Sequence, residues 1–512
     1  MQHKDFPQLN CTFAGTNPTY SDPIMGPTPE NTSHESAKAH RFSGYRNREI
    51  LHIFNTFFHN ESTGGILLLV CAIVAVTLAS VPGGEWFESI WTTHASIGIG
   101  DFSIEMSLRH WINDALMAIF FFVVGLEIKR EMLVGQLSSI KRSALPIVAA
   151  LGGMLVPAGI YWAFNAGHPE SIQGWGIPMA TDIAFAIGIL SLLGNRVPPS
   201  LKVFLTALAI VDDIGAIIVL AIFYPTHALH LEYLAYAGLI LAVLAAFNAL
   251  KVKNKYLYIL PGIVMWYFTF LSGIHATIAG VLLAMVIPSK GSINEIRFQS
   301  RISLLLEKFK LTSNRKTIVL TSPEQQHIIH SMSTELKSVD PLLHRFESKL
   351  HPIVTFIIMP LFALANAGVA LDFSSISSGG LSPVTLGIVL GLLIGKPAGI
   401  FLFSLVSIRL KLAARPTGVT LTQLLSISVL GGIGFTMSIF INNLAFSSES
   451  LVDIGKISIL VASASAAILG LIAMSLSCSG KAPELTAEEI LPEETNRIKA
   501  RGKTGEPARK DI

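Results

Sequence analysis

Two aspartates, Asp212 and Asp213, stand side by side in the middle of an apolar run from Leu205 to Phe223 (L-T-A-L-A-I-V-D-D-I-G-A-I-I-V-L-A-I-F). A run of that length crosses a bilayer, which puts both carboxylates near its midplane. A charge there costs about 2.5–3.5 kcal/mol on insertion scales, so an ionisable residue inside a membrane is read first as a functional group. A carboxylate in such a place can take up a proton or offer oxygen to a hard cation. A second apolar run, Pro383 to Arg409, carries Lys396 near its middle in G-L-L-I-G-K-P-A-G. A buried ammonium needs a partner. Adjacent helical residues project about 100° apart, so one aspartate of the pair can meet Lys396 while the other faces a further carboxylate, Asp182.

Asp182 follows Thr181 in W-G-I-P-M-A-T-D-I-A-F-A-I-G, between Pro178 and Gly188. An interruption near Thr181 would leave backbone groups and a carboxylate facing one cavity. The stretch Leu430 to Ser438 (L-G-G-I-G-F-T-M-S) gathers three glycines and is a second break signal. A plainer reading makes Lys396 and one aspartate a static lock between helices, and Thr181 and the glycines close-packing residues. The lock leaves the surplus carboxylates without a role.

The elements that position these residues follow from composition. Hydrophobic residues make up 51% of the 512 and charged ones only 14%, the mean hydropathy is +0.57, and soluble domains carry about 25% charged residues. The chain reads as an all-α polytopic membrane protein. The apolar segments predict twelve transmembrane helices at about 63–81, 111–127, 144–164, 175–193, 200–223, 231–250, 256–272, 274–288, 351–370, 383–409, 421–446 and 452–476. Lys and Arg gather in the loops after the even-numbered spans (Lys129, Arg130, Lys141 and Arg142; Arg196 and Lys202; Lys251, Lys253 and Lys255; Arg409, Lys411 and Arg415). The positive-inside rule then places both termini in the cytoplasm. Spans 4 and 11, the two with break signals, are seven apart and must run in opposite directions. Paired interrupted helices of this kind mark a transport site. The formal charge of +3 says little about partners, and Cys11, Cys71 and Cys478 match no metal or redox motif, so no structural disulfide is expected.

Three regions fall outside the bundle. Residues 1–50 are polar, rich in Pro, Asn, Ser and Thr, and read as a disordered cytoplasmic tail, followed by the membrane domain over 51–478. In the first loop, Ile97 to Ser107 alternates apolar and polar residues and predicts a small external β-hairpin turning near Asp101 and Phe102. A cytoplasmic insert at about 289–346 contains R-I-S-L-L-L-E-K-F-K, where Ile302, Leu305, Leu306 and Phe309 make the apolar face of an amphipathic, surface-lying helix. Residues 479–512 form a charged cytoplasmic tail.

The strings W-I-N-D-A-L-M-A-I-F-F (111–121), G-L-E-I-K-R-E (125–131), A-T-D-I-A-F-A-I-G (180–188), I-V-D-D-I-G-A-I-I (210–218), S-G-I-H-A-T-I-A-G-V (272–281), F-A-L-A-N-A-G-V (362–369), L-L-I-G-K-P-A-G-I (392–400) and G-G-I-G-F-T-M-S-I-F (431–440) closely resemble the NhaA-type sodium/proton antiporters, over about residues 50 to 478. That family is itself among the standard examples of inverted repeats and broken helices. The resemblance implies repeats of helices 3–5 and 10–12, with helices 4 and 11 broken. It implies an ion and proton site at Asp213 and Asp212, with Asp182 and Thr181 beside the break and Lys396 as charge partner of Asp212. Transported Na⁺ would be held by Asp212 and Asp213. It implies pH sensing by Glu127, Arg130, Glu131, Glu347 and His351, and His275 is often treated as pH-related in such proteins. A helix-start histidine is as often structural.

The resemblance further implies a secondary transporter and no enzyme, expelling Na⁺ or Li⁺ at the expense of the proton gradient from a bacterial inner membrane. It would form a homodimer through the hairpin at 97–107. No metal or organic cofactor is implied, no ATP-binding motif is present, and nothing points to nucleic acid. Two rival classes are weaker. The string G-I-G-D at Gly98 to Asp101 prompts an intramembrane aspartyl protease, but no spanning apolar run surrounds it. In a sodium-coupled carrier of an organic anion, Lys396 and a helix N-terminus would hold a substrate carboxylate.

Overall fold

The computed structural model describes residues 61–99, 102–225, 228–289, 295–312, 322–369 and 382–478. The tails expected at 1–50 and 479–512 lie outside the described residues, as does Asp101 of the hairpin turn. The chain runs through α1 (Glu61–Ser80), α2 (Glu85–Thr92), strands β1 (His94–Ile99) and β2 (Phe102–Ser107), α3 (Leu108–Leu133) and α4 (Ile140–Asn165). A 3₁₀ segment, Ile172–Met179, leads into α5 (Ile183–Ser191), followed by α6 (Pro199–Phe223), α7 (Leu231–Ala249), α8 (Tyr256–Leu271) and α9 (Thr277–Val286). Then come α10 (Glu295–Thr312), α11 (Pro323–Val339), α12 (Leu342–Asn366), α13 (Pro383–Arg409), α14 (Leu421–Leu430), α15 (Phe435–Ala445) and α16 (Glu449–Ser477).

Among the described residues nine elements are long and apolar enough to cross a membrane, and α14 with α15 makes a tenth that bends by 47°. The shorter apolar helices α8 and α9 complete the set, so each of the twelve predicted spans has its helical counterpart. Gly273 separates α8 from α9 at a φ of +85°, a left-handed conformation that resists other residues. One boundary differs markedly from expectation. α12 starts at Leu342, not near 351, because Leu342, Leu343 and Phe346 are buried while their neighbours are polar. Phe346 packs edge-on against Phe122 of α3 at 5.6 Å, and such an amphipathic first turn is invisible to a hydropathy window.

Small residues set the helix spacing. Gly152 of α4 lies against Gly399 of α13, and Gly65 of α1 against Gly188 of α5, contacts that a side chain at either position would block. Among the described residues three helices contain a π-helical segment: Trp111–Leu116 in α3, Val354–Ile358 in α12 and Gly391–Gly395 in α13. The last one ends immediately before Lys396.

The hairpin pairs His94 with Ser107 and Ile99 with Phe102, so it starts three residues earlier than the alternation suggested, and Phe102 sits in a strand. Trp111 Nε1 ties it to the bundle by donating to Ala95 O at 3.0 Å. In the insert, α10 and α11 pack as a pair joined by Arg301 and Glu335 at 2.8 Å. Of the face expected to lie on the membrane, Ile302, Leu305 and Phe309 are half-buried in this pair, and only Leu306 is exposed.

Candidate functional site

The chain is extended from Ala180 to Asp182, so the predicted interruption falls at Thr181. Asp182 caps α5: its Oδ1 accepts the Phe185 N–H at 3.0 Å, a position where the helix dipole also favours a carboxylate. Its own N–H donates to Ile433 O at 2.8 Å. Ile433 lies in the Gly431–Gly434 gap between α14 and α15. From the start of α15, Thr436 donates its N–H to Asp182 Oδ2 at 3.2 Å and its hydroxyl to the same oxygen. The two breaks therefore cross at Asp182. Ser438 Oγ adds a bond to Ile177 O at 2.8 Å, and Phe435 N–H donates to Ser463 Oγ of α16 at 3.0 Å.

Beside the crossing, α6 presents the aspartate pair. Lys396 Nζ lies 2.9 Å from Asp212 Oδ2 and also donates to Met179 O, just before the break. The Thr181 hydroxyl is 2.8 Å from Asp212 Oδ2 and 3.1 Å from Gly431 O, and its single proton serves one of them at a time. Asp212, Asp213, Asp182, Thr181 and Lys396 are all buried. Asp212 Oδ1 and Asp213 Oδ1 are buried with no hydrogen-bond partner. Counted as charges, Lys396 balances Asp212, and the N-terminal N–H groups of α5 and α15 satisfy Asp182. Asp213 is the carboxylate left over. Burial without a partner is costly for its ionised form, so the arrangement favours adding a proton or a cation there.

A second group of charges joins α3 to α12. Arg130 forms an ion pair with Glu347 and lies 3.3 Å from Glu131. Glu131 Oε2 accepts the Gln136 N–H at 2.9 Å, and His351 Nε2 is 3.8 Å from Glu127 Oε1. The structure thus brings Glu127, Arg130, Glu131, Glu347 and His351 together. Lys129 caps the C-terminal end of α9, its Nζ 2.6 Å from Met285 O and 2.5 Å from Ile287 O. His275 precedes the opposite end of α9 and is buried, so it stands apart from this group. Sequence reasoning missed Thr436, the Met179 carbonyl and Lys129. Thr436 sits within the glycine-rich break string, where its hydroxyl was the one available signal.

Two interrupted helices crossing beside an unpartnered buried carboxylate define a secondary membrane transporter of the broken-helix type. The chain belongs to the Na⁺/H⁺ antiporter 1 family, whose profile matches residues 55–474. It is 47% identical over 417 residues to the Na⁺/H⁺ antiporter NhaA 1 of Clostridium beijerinckii, covering 81% of this chain and 93% of that protein. The NhaA antiporter of Wolinella succinogenes is 46% identical over 425 residues, 83% of this chain and 93% of its own. That of Helicobacter pylori is 47% identical over 416 residues, again 81% and 93%. Membership makes the chain a multi-pass membrane transporter.

Proposed function

We propose that the chain exchanges Na⁺ or Li⁺ for protons, with Asp213 and Asp212 holding either the cation or a proton. The observation that carries this is the pair of buried, unpartnered oxygens, Asp212 Oδ1 and Asp213 Oδ1, next to a neutralised Asp212–Lys396 pair. Hard alkali cations prefer oxygen ligands, and two carboxylate oxygens beside the Thr181 hydroxyl supply them. At the cytoplasmic opening Na⁺ displaces a proton from the site; at the outer opening Na⁺ leaves and protons return. The proton gradient then drives sodium out, serving sodium and pH homeostasis. Access alternates by movement of the crossed breaks, which are joined to each other by hydrogen bonds through Asp182 and can move as a unit.

The charges at Glu127, Arg130, Glu131, Glu347 and His351 act as a pH control that biases this movement. The protein sits in a bacterial inner membrane with both termini cytoplasmic, as the loop charges imply. It works as a homodimer through the hairpin, whose Ile97 is 64% exposed; cross-linking between copies carrying Ile97→Cys tests the contact.

A pH-dye measurement in everted vesicles, adding Na⁺, Li⁺ and K⁺ in turn, tests the exchange. Dequenching by Na⁺ or Li⁺ without any organic solute is the expected result. A requirement for an organic anion would replace this reading with solute transport.

A further inference from the structure

Between α9 and α12 the chain leaves the membrane domain and returns to one point, where Leu343 N–H donates to Pro288 O at 3.2 Å. Seven residue steps separate Pro288 from the start of α10, so α10 begins within about 25 Å of that point even if the connection is fully extended. α10 carries one apolar stripe and a second, interrupted one. Phe298, Ile302, Leu305 and Phe309 share one side and are half-buried where α10 packs with α11. Ile296, Leu304 and Leu311, with Ser300, Ser303 and Glu307 among them, fall on a different side of the helix and are 72%, 54% and 82% exposed.

Charge distinguishes this second stripe. Arg297 and Lys308 are exposed along one border and Lys310 along the other, while Glu307 is the acidic residue within it, so three cations less one anion leave a local charge of +2. Arg301, on the Arg297 side, is engaged with Glu335. A stripe of aliphatic side chains rimmed by long cationic ones suits the boundary between acyl chains and anionic headgroups. A cytoplasmic leaflet supplies that chemistry within reach of the short connection. We propose that the Ile296–Leu304–Leu311 face of α10 docks on anionic lipid headgroups beside the membrane domain. The α10–α11 pair then lies along the membrane as a lipid-sensing arm.

The test uses the full chain with Cys11, Cys71 and Cys478 replaced by serine and an environment-sensitive fluorophore on Leu311→Cys. It is reconstituted into vesicles of phosphatidylcholine with or without phosphatidylglycerol in both leaflets, so insertion direction does not matter. The expected result is blue-shifted emission, quenched by headgroup-proximal nitroxide lipids, in the anionic vesicles only. Replacing Arg297 or Lys308 by glutamine should lower the docked-to-free ratio about fivefold each, the equivalent of roughly 1 kcal/mol per cation at such a surface. Leu304→Cys as a second probe position guards against a local effect of the label. Emission of a water-exposed dye in both vesicles overturns the proposal, as does equal quenching with and without phosphatidylglycerol. A blue shift that follows protein density and not lipid overturns it in favour of a second copy. Cation-driven proton exchange is recorded in the same vesicles, so its failure bears on the transport reading and leaves the docking result standing.

Discussion

Asp182 of one broken helix holds Thr436 of the other, accepting both its backbone N–H and its hydroxyl on one oxygen while the second oxygen caps α5. Both oxygens are therefore engaged, unlike Asp213 Oδ1, which is buried without a partner. Three intramembrane aspartates thus do different work. Asp182 closes the crossing, Asp212 is tied to Lys396, and Asp213 is the one to which we assign exchange.

Thr436→Val removes the hydroxyl donor and keeps the shape. It should lower stability by about 1–3 kcal/mol, since a buried carboxylate oxygen loses a donor, while Thr436→Ser stays near the parent. Thermal unfolding in detergent compares the three. Equal midpoints for valine and threonine would show that the hydroxyl bond adds nothing.

Asp213→Asn keeps the volume and removes the titratable oxygen, so proton exchange should fall to the background of empty vesicles while insertion is unchanged. Near-normal Na⁺-driven dequenching in that variant would sink the proposed mechanism.

Lys396→Ala leaves Asp212 buried and unpaired, a change that costs about 3–5 kcal/mol when one partner of a buried pair is removed. Adding Asp212→Asn should restore much of the loss, because the stranded charge is gone. The thermal midpoints of both single variants and the double variant settle it: additive losses mean that the pair is not a direct one.

Glu131→Gln retains an acceptor for the Gln136 N–H and removes a negative charge beside Arg130. Arg130 should then engage Glu347 alone, shifting the pH at which exchange switches on and leaving the apparent Na⁺ affinity at the optimum nearly unchanged. An activity profile superimposable on the parent's would assign this cluster to structure only.

The sequence showed the apolar helices behind the twelve predicted spans, the break at Thr181 and the chance of a Lys396–aspartate pair, because apolar length, proline with glycine, and intramembrane charge are local signals. It did not show which hydroxyl would cross between helices. In membrane helices such groups commonly bond their own preceding turn, as Ser428 Oγ does to Leu424 O at 2.7 Å and Thr269 Oγ1 to Met265 O at 2.8 Å. Its place in the glycine-rich break string is all that separates Thr436 from those residues. The insert misled for a related reason: Ile302, Leu305 and Phe309 do form an apolar face, but periodicity cannot say whether a membrane or a neighbouring helix covers it. The start of α12 was hidden by the polar residues between Leu343 and Phe346.

The π turn at Gly391–Gly395 gives the ion pair a dependence on helix phase. A π turn holds one residue more than an α turn, so Lys396 sits about 100° away from the direction it would take in an uninterrupted α-helix of the same sequence. Regularising the turn with all of its residues kept would swing the ammonium to another face of the bundle without changing a single charged group, whereas removing one residue from L-L-I-G closes the turn as α-helix and leaves the ammonium where it meets Asp212. At this point of the chain the pitch of one turn constrains the site more tightly than the identity of its residues.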